Sequence, residues 1–493
     1  MLKQLIKGIH QDADYPERSY WYDIYCRVFD GTIYDHLKYA FHQEVSNQER
    51  IELIKRRPAV RFNLSKIIVN DSVSMLFDES HFPNIKTDDE KILDYVNDIY
   101  DNTNFRKTML KAAIIGSLGS VAVWLRVLSN KLYFKPLKTE YLTAEFDENE
   151  PDKLIRITEK YKISAQQVNE LGYAVDLDGS AYWFCREWDE TQEIYYVPWR
   201  VKDEKEAKAN NKPFKPRIDK KKTTEHGLGF VPFVWIKNLP TLDEDDLDGQ
   251  CTFAPIIDNQ IEIDYQLSQL GRGLKYSSEP LLVIKTNSLE TGEVDKSKGN
   301  ALCLDAESDA KMLEINGDFA NVVIEYAESL RKLSLEVVGA NRVDPEKFTS
   351  AQSGKAMELM NQSLVWLTSK LRVSYGDALE KLIEMAIDAT QTFSIQIKDR
   401  TYSKLKIQDS LKLNWPPYFL PTSSDKQADA TTLSTLKNAG LISTETAVQN
   451  LSANYDVIEP DEEIKKIKSE TQETMQMQMK QQSMLNKKEV DTQ

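Results

Sequence analysis

Paired cysteines, clustered histidines, long apolar runs and an excess of basic charge are all missing from this sequence of 493 residues. The cysteines, Cys26, Cys185, Cys251 and Cys303, stand far apart without a CxxC pair, which argues against a zinc site and against a disulfide framework. A reducing, cytoplasmic place of synthesis fits that usage. His10, His36, His42, His81 and His226 are scattered and show no HExxH spacing, so a zinc-dependent hydrolase is not expected. The most apolar stretch, Ala112 to Leu125, contains Gly and Ser and falls short of the roughly 20 residues a membrane-spanning helix needs. It reads as a buried core segment. Met1 to Tyr15 carries Lys3, Lys7, Asp12 and Asp14 and no apolar core of signal-peptide length, so export is not expected.

The chemistry of phosphate and metal sites is also sought in vain. Gly354-Lys355 has Thr349 where a P-loop needs its first Gly and Ala356 where it needs a hydroxyl for magnesium. Gly271-Arg272-Gly273 lacks the third Gly of a dinucleotide fingerprint, which would fall at Tyr276; it reads as a helix terminus. The acids Asp243, Glu244, Asp245, Asp246 and Asp248 fit no EF-hand spacing, because Leu247 interrupts them. They read as a solvated loop whose last members favour the N-terminus of the next helix. No cofactor, metal centre or catalytic constellation is expected. The net charge of −15 counts against a protein that grips nucleic acid by neutralising phosphates, but not against a conduit, where tight phosphate contacts would act as a brake.

What the sequence does hold is core-forming material, 41% hydrophobic against 29% charged, in a chain too long for one core at roughly 150 residues per domain. An α+β, mainly helical fold is expected. Residues 1 to about 110 read as helical, with Ile51, Leu53, Ile54, Leu64, Ile67, Ile68, Val73, Met75 and Leu76 in a mixed helical pattern over Glu49 to Glu79. From about 117 to 240 the texture is β, with Val121, Val123, Leu125 and Val127 alternating and Asp178-Gly179 suited to a hairpin turn. Arg200 to Lys222 holds ten Lys or Arg among Asp203, Glu204, Glu206 and Asp219; such mixed charge marks a solvated hairpin tip or loop rather than a nucleic-acid patch.

A helix is expected over Cys251 to Lys275, ending near Gly271 and Gly273, with Ile257, Ile261, Tyr265, Leu267, Leu270 and Leu274 on one broad face. A small β insert follows over Pro280 to Met312, with strands at Leu281 to Ile284 and Ala301 to Leu304. A second helix, Phe319 to Val338, has Val323, Ala327, Leu330 and Leu333 on one side and Gly339 to end it. Ala340 to Ser353 has no helical period and contains Pro345, a loop long enough to be suspected of function. Then comes the clearest helix, Lys355 to Thr392, with Ala356, Met360, Leu364, Leu367, Leu371, Tyr375, Ala378, Leu382 and Met385 at alternating three and four; its Gly376 marks a kink or a close approach. Ile395 to Leu413 alternates as two strands. Ser424 and Ser443 read as caps of two further helices, the first of which Gly440 ends. A last helix follows Pro460, and Thr474 to Gln493 reads as frayed.

Val60-Arg61-Phe62-Asn63-Leu64, continuing through Ile67 to Asp71 and Ser74 to Phe77, resembles the opening of portal proteins from siphophages of Gram-positive hosts. Gly229 to Val234 with Asn238, Ser353-Gly354-Lys355-Ala356-Met357 before a long helix, and Gly440 to Ser443 resemble the same family, in the same order. The resemblance, over about residues 40 to 460, implies a homo-oligomeric ring, commonly of about twelve subunits, closed around a central channel. It implies a wing at 1–245, a first stem helix at 246–279, a clip at 280–317 and a second stem helix at 318–339. A tunnel loop at 340–354, a long wing helix with strands at 355–421, a crown at 422–474 and a disordered tail at 475–493 complete it. The tunnel loop would offer Asn341, Arg342, Asp344, Glu346 and Lys347 to double-stranded DNA passing without sequence specificity. The implied partners are terminase, capsid and scaffold proteins and head-tail connector proteins, with no membrane; the implied location is the portal vertex of the virion capsid, after assembly in the host cytoplasm. The alternatives are another structural head or tail protein without a DNA channel, and an intracellular enzyme.

Overall fold

A computed structural model of the chain describes residues 1–242, 246–278, 281–285, 309–313, 318–341, 354–407, 411–419, 421–452, 462–470, 472 and 476–477. The chain divides into two compact units, Met1–Asn341 with Ser363–Pro416, and Arg342–Gln362 with Pro417–Gln493.

The first unit opens with helices α1 (Glu17–Asp30), α2 (Leu64–Phe77), α3 (Glu90–Asn102) and α4 (Phe105–Gly116). The helical pattern expected over Glu49 to Glu79 holds only from Leu64 onward. Before it the chain runs through short strands and irregular structure, because Pro58 disfavours helix in the residue before it and Asn63, accepting from the Lys66 amide, caps α2. Ala112 to Leu125 is the buried end of α4 and the start of β1 (Ser120–Leu128).

β1 lies at the centre of a three-stranded antiparallel sheet, between β2 (Lys131–Lys138) and a strand near residue 235. A second antiparallel sheet holds β3 (Leu142–Phe146), β4 (Leu154–Ser164), β5 (Ala181–Trp188) and β6 (Gln192–Tyr195) in that spatial order. Asp178-Gly179 does turn the chain, with Gly179 at a φ of 75°, but the β4–β5 connection also contains the short helix Ala165–Glu170, so it is no tight hairpin. The run from Arg200 begins as helix α5 (Val201–Ala209) instead of a loop. Its anchor is the buried Glu204 carboxylate, which accepts from Trp199 Nε1 at 2.9 Å and from Lys160 Nζ at 3.0 Å and pairs with Lys208 at 2.8 Å. The strand completing the first sheet is β7 (Phe233–Lys237). Trp124 on β1, Trp188 on β5 and Phe233 on β7 form the aromatic centre between the sheets, with ring centroids 4.9 to 5.5 Å apart.

Helix α6 (Ile257–Ser278) follows, then the antiparallel strands β8 (Leu281–Lys285) and β9 (Asp309–Leu313), and then α7 (Asp318–Val338). Gly271 and Gly273 do not end α6, which runs on to Ser278; a Cβ at Gly273 would lie 3.5 Å from the Phe319 ring of α7. The partner of the first insert strand is Asp309–Leu313; Ala301 to Leu304 lies outside the described residues. Gly339 ends α7 at a φ of 71°.

The long helix is divided at Asn361 into α8 (Gly354–Met360) and α9 (Gln362–Thr392). α9 passes through Gly376 without a break, and Gly376 is a close approach: a Cβ there would lie 3.4 to 3.5 Å from Leu413 and the Trp415 ring. Leu364, Leu367, Leu371, Tyr375, Ala378 and Leu382 are buried as their period requires. The hairpin β10 (Ile395–Ile397) and β11 (Arg400–Tyr402) follows. In the second unit α10 (Ser423–Asn438) is capped by Thr422 in a capping box with Asp425, two positions before the expected Ser424. Gly440, at a φ of 72°, follows its C-terminus, and Ser443 Oγ accepts from the Thr446 amide at the start of α11 (Thr444–Ser452).

Candidate functional site

The hairpin of α6, β8, β9 and α7 rises from a tightly bonded crossing in the first unit. There the Asn238 and Gly249 amides both donate to the Gly119 carbonyl at 2.9 Å, and the Gln250 amide donates to the Leu239 carbonyl at 2.8 Å. The buried Asn238 side chain donates to Gln250 O at 2.9 Å and Thr252 Oγ1 at 2.8 Å. Among the acids read as a solvated loop, Asp248 is instead a clamp. Both its oxygens accept from Arg18 at 2.7 Å, and Ser120 Oγ donates to it as well. Asp243, Glu244 and Asp245 lie outside the described residues. The chain thus enters α6 in a fixed direction.

Within the hairpin, α7 turns Val323, Ala327, Ser334 and Leu335 inward, and Asn259 Nδ2 of α6 donates to Ser334 Oγ at 3.1 Å. Leu333, expected on the inner side, is 54% exposed, because Ser334 and Leu335 take up the inward positions. With it Phe319, Val322, Tyr326 and Val337 stand exposed at spacings of three, four and seven, one apolar stripe along a single helix. A polar face, Asn321, Glu325, Glu328, Lys332 and Glu336, runs beside it. On α9, Trp366 and Val373, seven residues apart, are 61% and 65% exposed.

The base of α6 is held by buried polar side chains. Gln260 Oε1 accepts from the Ser65 amide at 2.8 Å and Ser65 Oγ at 2.6 Å. Asp264 accepts from the Phe62 amide at 2.5 Å and the Tyr34 hydroxyl at 2.7 Å. Ser268 Oγ accepts from the Val60 amide at 2.9 Å, and Tyr265 Oη donates to the Ile54 and Arg56 carbonyls at 3.1 and 2.9 Å. Burial pushes the Asp264 carboxyl up from 3.8 to about 7, against the hydrogen bonds from Tyr34 and Phe62 and the charge of Arg61.

Of the expected site residues, Asn341 is half-buried at the end of the segment after α7; Arg342, Asp344, Glu346 and Lys347 lie outside the described residues. Sequence reading missed the exposed stripe of α7 and the polar ladder of α6. A signal for each is present: α7 has apolar residues around more than half its circumference, and Gln260, Asp264 and Ser268 repeat every four residues beside an apolar face.

Among the described residues no helix is long and apolar enough to cross a membrane, and no group of three or more His, Cys, Asp or Glu is placed to hold a metal ion. A family model described as phage portal protein, SPP1 Gp6-like, matches residues 31–477. No curated protein matches the chain.

Proposed function

The chain belongs to the phage portal proteins of the SPP1 Gp6-like family, and from that premise we propose that identical copies of it close into a ring, of about twelve subunits, around a channel for double-stranded DNA at one capsid vertex. Portal proteins are structural and not catalytic, and the family serves DNA packaging within the phage capsid. The observation that carries the ring is the exposed stripe Phe319, Val322, Tyr326, Leu333 and Val337 on α7. Burying each such side chain against a neighbour is worth roughly 1.5–3 kcal/mol, which favours an oligomer over a lone chain.

In this reading α6 and α7 are the stem helices, and the insert carrying β8 and β9 is the clip, which docks the terminase motor during packaging and connector proteins afterwards. The segment from Ala340 to Ser353 is the tunnel loop. Its Arg342 and Lys347 touch phosphates in passing, while Asp344 and Glu346 keep the attraction weak. The net charge of −15 supports a wall along which DNA slides, because strong phosphate neutralisation would hold it in place. Energy for translocation comes from the docked motor; the portal's part is geometric.

Arg342→Ala with Lys347→Ala is expected to leave ring assembly intact and to lower packaged DNA at least about tenfold, since each lost phosphate contact weakens DNA engagement uniformly. Nuclease-protected DNA per head measures this, and normal infectivity in a complementation assay would exclude the DNA-facing role. Deleting residues 280–312 is expected to preserve the rest of the first unit and abolish terminase binding in a pull-down; a normal pull-down would remove the clip assignment.

A further inference from the structure

The polar ladder of α6 is more than a set of satisfied hydrogen bonds, because its spacing fits one register only. Gln260, Asp264 and Ser268 are each four residues apart, about 6 Å along a helix. The amides they accept from, at Ser65 in the first turn of α2 and at Phe62 and Val60 in the segment before it, run in the opposite direction along the chain. A slip by one residue would turn the Phe62 and Val60 amides away and leave buried acceptors without donors, which is unfavourable. The central rung differs from its neighbours in being ionisable, and among the described residues its side-chain oxygens accept from an amide and a phenol. The charged and titratable groups around it are Tyr34, Arg61 and Tyr265. Arg61 is committed to Asp35 at 2.9 Å and lies over the Tyr34 ring, and Arg56 acts on Tyr265 from the same segment.

We propose that Gln260, Asp264 and Ser268 form a latch that sets the register of α6 against residues 60–65, and that the latch loosens when Asp264 gives up its proton. Protonation does not disrupt the geometry: the carboxyl hydroxyl donates to Tyr34 Oη, reversing one hydrogen bond, while the other oxygen still accepts from the Phe62 amide. Ionisation leaves a charge in a buried site without a direct cationic partner among the described residues, which makes opening easier. The sign follows from the burial-raised carboxyl, about 7 when closed against 3.8 when solvated. Between those values the closed latch holds a proton that the open one lacks. Closure is therefore favoured as pH falls below about 7 and is weakest above it. The inference rests on the first unit alone and not on the ring.

Hydrogen exchange by mass spectrometry on the full-length chain, with peptides covering residues 56–66 and pH varied from 5 to 8.5, tests it. After correction for intrinsic exchange, the opening equilibrium is expected to rise by up to about tenfold per pH unit toward pH 7 and then level off. Asp264→Asn, whose amide donates to Tyr34 and whose oxygen accepts from Phe62, is expected to remain closed with a flat profile. Tyr34→Phe removes a donor to the carboxylate and is expected to move the levelling point to higher pH. A flat wild-type profile, a wild-type slope retained in Asp264→Asn, or an unmoved levelling point in Tyr34→Phe overturns the latch.

Discussion

Leu333→Glu combined with Val337→Glu is expected to leave the chain folded and to abolish its assembly into rings. Both side chains are more than half exposed, at 54% and 64%, so little core packing is lost and the change in the free chain stays within about 0.5 kcal/mol per site. In an interface the balance reverses. Each substitution removes an apolar contribution of roughly 1.5–3 kcal/mol and places a carboxylate where it must be desolvated without a partner. The effect repeats at every subunit boundary of a closed ring, so light scattering should report single chains where the wild type gives rings. Glu328→Lys, on the polar face of α7, is the control and should leave the assembly largely intact. Rings formed by the double variant with wild-type mass would remove α7 from the interface.

Gly249→Ala is expected to damage the fold of the first unit severely. Its methyl would lie 2.5 Å from the Asn238 amide nitrogen and 2.6 Å from the Leu239 carbonyl oxygen. Those atoms are backbone, and the hydrogen bonds of Asn238, Gly249 and Gln250 across the crossing hold them, so they cannot yield as a flexible side chain would. Overpacking of this kind costs about 1–3 kcal/mol, here with broken hydrogen bonds added. Gly271→Ala gives the contrast. No atom lies within 4 Å of the position a Cβ would take there, and Ala in a helix interior is favoured over Gly by about 0.5–1 kcal/mol. Thermal unfolding should show a clear drop for the first and no drop for the second; equal melting temperatures would refute the packing argument.

The contrast between these glycines also marks how far the sequence could be read. Gly339, Gly440 and Gly179 announce themselves because a positive φ at a helix end or turn is a local event. Gly249 carries no local signal, since its need arises from Asn238 and Leu239, eleven and ten residues earlier and just past β7. The same division runs through the elements. Helices α6, α7 and α9 follow from apolar periodicity; burial follows the expected face in α9 and along most of α6, whereas Leu274 of α6 and Leu333 of α7, expected on the inner faces, are 53% and 54% exposed. The end of α6 was misplaced because Gly271 and Gly273 resemble a stop, whereas the approach of Phe319 gives Gly273 a packing reason inside the helix. Helix α5 was hidden under lysines, because its anchor is one buried carboxylate satisfied from another strand.

For the candidate site, the order of helix, small insert and helix was legible, and so was the family. Which face of α7 stays bare was not, because Leu330 and Leu333 look alike in a periodic sequence and only the neighbouring helix distinguishes them. The ladder on α6 was not legible either. Gln, Asp and Ser at a spacing of four look like a solvated stripe until the amides of Val60, Phe62 and Ser65 are found against them. That contact gives a physical reason for the Val60 to Leu64 motif to keep its length, since inserting or deleting a residue there would break the register.

Negative-stain electron microscopy of the purified full-length chain, with its mass by light scattering, tests the central claim most directly. End-on rings with a stained central hole and a mass of about twelve subunits are the expected result, and a closed dimer or tetramer without a channel would contradict it.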